Sequence, residues 1–327
     1  MIVSRTPLRI SFAGGGTDIS DFYDEHGGAV VSTSIDKWIH VIVAPRFEGD
    51  VRVSYSATEI VDSAGDVEHD LVREAMRLAG VPRGVEVVTL ADVPSNGTGL
   101  GSSSTVTVGV LNALYAFQGI YKSPPQLAEE AAHIEIDVLG KPIGRQDQYA
   151  AALGGFNFIE FLPRGGGVRV EPLIAPPETF RRLQRSLLMF YTGRQRSADD
   201  VLSSQRDATR QGTSTETLLQ IRDLAHEMRE VLTTGDVDRV GPLLHRSWEL
   251  KRGLAGGISN PEIDSAYDAG MAAGATGGKI LGAGAGGFLL LFAPVDHHAS
   301  VRHALGSLRE VPLRFAARGT HIMAWGS

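Results

Sequence analysis

The run Pro94-Ser95-Asn96-Gly97-Thr98-Gly99-Leu100-Gly101-Ser102-Ser103-Ser104-Thr105 gathers glycines and hydroxyls into one stretch, a composition that can hold a polyphosphate with its metal. Glycines let a backbone approach an anion closely. Serine hydroxyls can cap a helix, donate to phosphate or complete a Mg2+ shell. The flanking residues give the stretch a position. Val85 to Leu90 reads as a buried strand, and Val106, Val108, Val110, Leu111, Leu114 and Phe117 fit the apolar face of a helix. The loop therefore opens a helix, where unpaired N–H groups and the positive end of the helix dipole meet an anion. No lysine follows the last glycine, as a Walker A loop requires, and the spacing fails the dinucleotide rule. Gly and Ser are also ordinary turn and cap residues, so the loop gains chemical meaning only from its company.

That company stands near the two ends of the chain. One segment is Thr6-Pro7-Leu8-Arg9-Ile10-Ser11-Phe12-Ala13-Gly14-Gly15-Gly16-Thr17-Asp18, and the other is Lys279-Ile280-Leu281-Gly282-Ala283-Gly284-Ala285-Gly286-Gly287-Phe288. Either alone reads as a glycine turn between apolar strands. With the serine loop between them, in order and across nearly the whole chain, they resemble the three motifs of the GHMP kinases, the superfamily of galactokinase, homoserine kinase and mevalonate kinase. The resemblance implies an α+β, two-domain GHMP kinase fold. A ribosomal-protein-like α/β domain comes first, a ferredoxin-like α+β domain second, and the active site lies in the cleft between them.

The resemblance also implies roles. Ser95, Asn96, Gly97, Thr98, Gly99, Leu100, Gly101, Ser102, Ser103 and Ser104 would bind ATP, and Gly282, Gly284, Gly286 and Gly287 would form a structural glycine loop. Asp147, in Ile143-Gly144-Arg145-Gln146-Asp147-Gln148-Tyr149, would orient the acceptor hydroxyl and take its proton, with Arg9 beside it to offset charge on the phosphoryl oxygens. Ser103 and Glu135 would be the Mg2+ ligands; read without the family, Glu135 is rather a solvated helix carboxylate, and Asp147 a helix cap. Asp18 would hold sugar hydroxyls by charge-assisted hydrogen bonds, together with Gly15, Gly16 and Thr17.

Galactokinases carry Glu-His where this chain has Gly15-Gly16, which argues against galactose and suggests open space for a larger sugar. The Gly14-Gly15-Gly16-Thr17-Asp18 run is similar instead to kinases of heptose 7-phosphate and to fucokinase domains. The implied reaction is phosphorylation of the anomeric hydroxyl of D-glycero-D-manno-heptose 7-phosphate, with L-fucose or another sugar as the alternative acceptor. A catalytically silent sugar or ATP sensor is the non-enzyme alternative. A second substrate phosphate calls for cations, and Arg196 and Lys251 stand at matching positions.

Composition sets limits. The 327 residues are enough for two cores, divided here into 1–175 and 176–327 at Ala175-Pro176-Pro177. A net charge of -7 without a basic run speaks against nucleic acid as a partner. The absence of cysteine, of a long apolar span and of a signal-like start points to a cytoplasmic enzyme of small-molecule substrates. Strands are expected at 30–34, 39–44, 51–55, 156–161, 168–171, 186–191 and 288–292. Helices are expected at 67–78, after the serine loop, from Ser123-Pro124 to about Leu139, and near 199–210, 215–233, 237–251 and 261–273.

Overall fold

The computed structural model describes residues 1–94, 98–193 and 198–325. Strand β1 (Ile2–Ala13) alternates buried and half-buried residues at first and is buried throughout from Thr6 on, so it carries Arg9 into the interior. After helix α1 (Ser20–His26), strand β2 (Gly28–Pro45) runs unbroken where the sequence suggests two strands. Residues 35–38 stay extended because pairing with β1 continues past them, and a register shift between Pro7 and Arg9 absorbs the irregularity.

The chain continues through β3 (Val51–Ser54), β4 (Thr58–Val61), α2 (Asp70–Ala79), β5 (Val85–Ala91), α3 (Ser102–Phe117), α4 (Pro124–Ala132) and α5 (Gln146–Leu153). Next come β6 (Phe156–Phe161), β7 (Val168–Pro172), α6 (Pro177–Ser186), β8 (Leu187–Tyr191), α7 (Ala198–Arg210), α8 (Thr215–Thr234) and α9 (Val240–Arg252). Helix α10 (Pro261–Ala272), β9 (Gly277–Ile280), β10 (Phe288–Phe292), α11 (His298–Ala304), β11 (Arg309–Glu310) and β12 (His321–Trp325) complete it.

Among the described residues the first sheet has the order β12-β1-β2-β5-β3-β4, with β6 paired to the first part of β2 and β7 to β6; the second is β11-β8-β10-β9. Strand β12 thus returns from the end of the chain to pair with β1, so the first sheet draws on residues far beyond position 175. Helix α6 forms where the sequence suggests only a linker: Pro177 starts it, and Leu183 anchors it in the core. Helix α2 begins at Asp70 because a short 3-10 turn occupies residues 64–66. No helix of the described residues is long and apolar enough to cross a membrane.

Two departures from regularity bear on the site. Helix α3 lies against β1 and β2, and a Cβ on its Gly109 would stand 2.9 Å from Thr6 Oγ1, so glycine there admits the strand. The helix expected to run from Pro124 to about Leu139 instead changes at His133 into a π-helical turn through Val138, with Leu139 N donating to Ile134 O at 3.0 Å. The wider turn carries Glu135 to a fully buried position.

Candidate active site

Backbone hydrogen bonding from Arg9 N to Leu100 O (3.1 Å) ties the serine loop to β1. Gly101, in a left-handed conformation (φ 77°), precedes α3, and Ser102 begins it. The Arg9 guanidinium then holds two partners at once. Nε and Nη2 each donate to a carboxylate oxygen of Asp147 at 2.7 Å, and Nη1 donates to Gly99 O at 2.6 Å. Asp147 sits in the first turn of α5 without capping it; its carboxylate belongs to Arg9. A Cβ on Gly101 would stand 3.1 Å from Asp147 Oδ2, so the bend of the loop lies directly on this pair.

On the other side of the loop, Ser103 Oγ donates to Glu135 Oε2 at 2.9 Å and Gln148 Nε2 to Oε1 at 3.1 Å. Burial pushes the Glu135 carboxyl up, opposed by hydrogen bonds from Ser103, Ser104 and Gln148. One hydroxyl and one carboxylate could hold Mg2+, an ion that takes few protein ligands and would draw the rest from phosphate oxygens and water. The described residues hold no cluster of three or more His, Cys, Asp or Glu that would suit a metal caged by protein alone.

Asp18 is buried, with Oδ1 accepting from Gly16 N at 2.9 Å and Oδ2 from Gln146 N at 3.2 Å. Burial raises its carboxyl above the usual range, the Asp147 charge adds to this, and the two backbone donors oppose it. Lys251 of α9 reaches the same region and donates to Gly282 O at 2.6 Å. Burial lowers its ammonium to about 8, with Arg9 acting the same way and Asp18 and Asp147 opposing. Behind it Lys279 is buried too, and burial, then Lys251 and Arg9, push it well below the ordinary lysine value.

The glycine loop from the far end of the chain closes the site from below. A Cβ on Gly99 would stand 2.1 Å from Leu281 O, and one on Gly287 2.3 Å from Thr98 O, so the two glycine loops touch through their backbones. Gly284 meets Ile258 O in the same way at 2.6 Å. Gly286 lies in this loop as well.

These elements surround a cavity of about 1130 Å3. Arg9, Gly15, Gly16, Asp18, Asp147 and Lys251 line it, as do Thr98, Gly99, Gly101, Ser102, Ser103, Ser104 and Gly282. Leu100 is buried beneath the loop. Thr17, expected to face substrate, is fully buried and absent from the lining; its hydroxyl donates to Gly14 O and Ala29 O and so fixes the turn. Ser95, Asn96, Gly97 and Arg196 lie outside the described residues. The space expected at Gly15-Gly16 is there at Gly15, which lines the cavity with no atom nearer than 3.6 Å to a Cβ placed on it, but not at Gly16, where a Cβ would meet Gln205 Nε2 at 2.4 Å. Gly16 makes room for the Gln205 side chain of the second half. Sequence reasoning passed over Ser11, Gln146 and Gln205, and also the apolar end of the cavity at Ile39, Tyr55, Leu90, Val93 and Val106. Ser11 and Gln146 lie within motif segments but carry no signal of their own there, and Gln205 and the apolar residues are scattered over separate elements.

Two glycine loops, a bidentate arginine–aspartate pair and a serine held by the buried Glu135 behind the lining suit a phosphotransferase. Residues 67–155 match the GHMP kinases N terminal domain and residues 225–311 the GHMP kinases C terminal domain. The chain is 32% identical over 303 residues to the D-glycero-alpha-D-manno-heptose 7-phosphate kinase of Campylobacter jejuni, covering 89% of each. It is 27% identical to the L-fucokinase/L-fucose-1-P guanylyltransferase of Bacteroides fragilis over 92% of this chain and 35% of that longer protein. A D-glycero-D-manno-heptose 1-phosphate kinase from Bacteroides thetaiotaomicron superposes with a TM-score of 0.83 at 27% identity, over 100% of both chains. The chain belongs to the GHMP kinase family.

Proposed function

We propose that this chain transfers the γ-phosphoryl group of ATP to the anomeric hydroxyl of D-glycero-D-manno-heptose 7-phosphate. The observation that carries the reading is the Arg9–Asp147 pair, set where the serine loop meets the part of the cleft that holds Asp18 and Lys251. In this reading residues 1–175 supply the nucleotide loop and the reacting pair, and residues 176–327 supply Lys251 and the supporting glycine loop.

The start of α3 and the loop N–H groups hold the donor phosphates, and the apolar end of the cavity accepts the base. Asp147 orients the acceptor hydroxyl and takes its proton as the new bond to phosphorus forms, while Arg9 offsets charge on the transferred group. Ser103 and Glu135 would hold Mg2+, which neutralises charge on the phosphates when bound. Asp18, protected from water and fixed by two backbone donors, receives sugar hydroxyls. Lys251 pairs with the distal phosphate, a task for which Arg196 remains a sequence-based expectation.

The names of the two heptose-kinase relatives differ in where the substrate phosphate sits, so the product decides. Purified protein is assayed for ADP release with heptose 7-phosphate, heptose 1-phosphate, L-fucose, galactose and mevalonate, and the new phosphate is located by phosphorus NMR. The expected result is turnover of heptose 7-phosphate to a bisphosphate carrying its new group at the anomeric carbon. Preferential turnover of L-fucose or heptose 1-phosphate would contradict it.

A further inference from the structure

Helix α7 brings a side chain into the sugar end of the cleft that none of the three motifs contains. Gln205 is 1% exposed, lines the cavity beside Leu202, and its side-chain nitrogen has no hydrogen-bond partner. In the same lining, Gln146 Oε1 is buried and equally unpartnered. The two amides flank adjacent glycines: Gln205 Nε2 stands 2.4 Å from the position of a Cβ on Gly16, and Gln146 Nε2 3.7 Å from one on Gly15. A side chain at Gly16 would displace the end of Gln205, and the φ of 103° disfavours one in any case.

Helix α7 is held in place by α1. Asp21 of α1 accepts from Arg210 at 2.7 Å and pairs with Arg206, so Gln205 is delivered by a helix anchored next to the Gly14-to-Asp18 turn. Its position is therefore built into the fold.

Buried amide groups without partners are costly, and proteins keep few of them. Their chemistry states what would satisfy them. An amide nitrogen only donates and an amide oxygen only accepts, so a ligand that satisfied both would have to offer a lone pair and carry an O–H. A hydroxyl does both, whereas a phosphate dianion cannot donate. We propose that Gln205, with Gln146 as its accepting counterpart, reads ring hydroxyls of the acceptor sugar and is a specificity-determining residue of this enzyme. The inference rests on the sugar-kinase reading above.

The test compares the parent with Gln205→Leu and Gln205→Glu, using heptose 7-phosphate and its monodeoxy analogues at saturating ATP. In the parent, the analogue lacking the hydroxyl that Gln205 reads should lose about 5- to 100-fold in kcat/KM. In Gln205→Leu the intact sugar should fall by a similar factor through KM for sugar, and that analogue should no longer be disfavoured. Gln205→Glu keeps the shape without the donor and should show the same pattern if the leucine variant folds poorly. Gln146→Leu should likewise flatten the series. Parent-like discrimination in the folded Gln205 variants overturns the inference and leaves the kinase reading intact. A parent that phosphorylates none of these sugars overturns both.

Discussion

Gly282 and Gly99 touch backbone to backbone: a Cβ on Gly282 would stand 2.3 Å from the Cα of Gly99. Contact this close is open only to glycine, and it joins a loop from the end of the chain to the loop that heads α3. The donor side of the cleft thus depends on a residue far from it in sequence.

Gly282→Ala should disturb this junction twice, through the overlap and through a φ of 74° that side chains rarely adopt. A stability loss of about 1–3 kcal/mol is expected, and loop displacement should lower kcat by on the order of 10²-fold. Gly165→Ala, at a similar φ but with nothing within 4 Å, should keep full activity. Thermal melts and steady-state kinetics of both variants check this; equal activity in the two would show that the junction is only a turn.

Asp147→Asn should lower kcat by roughly 10² to 10⁴, with ATP affinity nearly unchanged. One amide oxygen still accepts from Arg9, while the amide NH2 faces the other Arg9 N–H and that second bond is lost together with the proton acceptor. Anomeric hydroxyls are unusually acidic, which favours the lower end of the range. ATP titration and single-turnover rates separate the two effects, and near-normal turnover would remove Asp147 from its role.

Lys251 should impose a pH limit. Its folded value of about 8 lies below the ordinary 10.5, so it is charged below about pH 8 and neutral above. KM for a phosphorylated sugar should stay flat up to that point and then climb, by up to about tenfold per pH unit, whereas KM for a free sugar should not follow. Between the two values the unfolded chain binds more protons at this group, so Lys251 contributes rising stability with pH, and unfolding at this residue cannot imitate the effect. Arg9, Asp18, Asp147 and Lys279 surround it and shift the midpoint together. Parallel KM profiles for the two sugars would exclude Lys251 from phosphate binding.

Ser103→Ala and Glu135→Gln should each raise the Mg2+ concentration needed for half-maximal activity, since each removes an oxygen ligand from an ion with strict octahedral demands. A magnesium titration that overlays the parent curve would show that the altered residue is not a ligand.

Much of this architecture was legible in the sequence, and the reasons for success and failure differ by residue. Arg9, Ser103, Glu135 and Asp147 each stand in a short motif or at a family spacing, and the fold brings them around one loop. Local periodicity marked β10 and helices α7, α8 and α10 closely. It could not mark the π-helical turn that buries Glu135, because that turn differs from an α-helix by one hydrogen-bond register. Gln205 was invisible because its environment is tertiary: α7 meets the Gly16 turn only after the second half folds back over α1. The return of β12 to β1 is likewise a long-range pairing with no local signal.

The acceptor itself is tested most directly by the ratio of kcat/KM for heptose 7-phosphate to that for the unphosphorylated heptose, measured with the parent and with Lys251→Ala. A buried cation left without its phosphate disfavours the free sugar, so the parent ratio should be roughly 30-fold to several thousand-fold, and Lys251→Ala should erase much of it by weakening the phosphorylated substrate alone. Equal use of the two sugars by the parent, or a preference for L-fucose over both, would contradict the assignment.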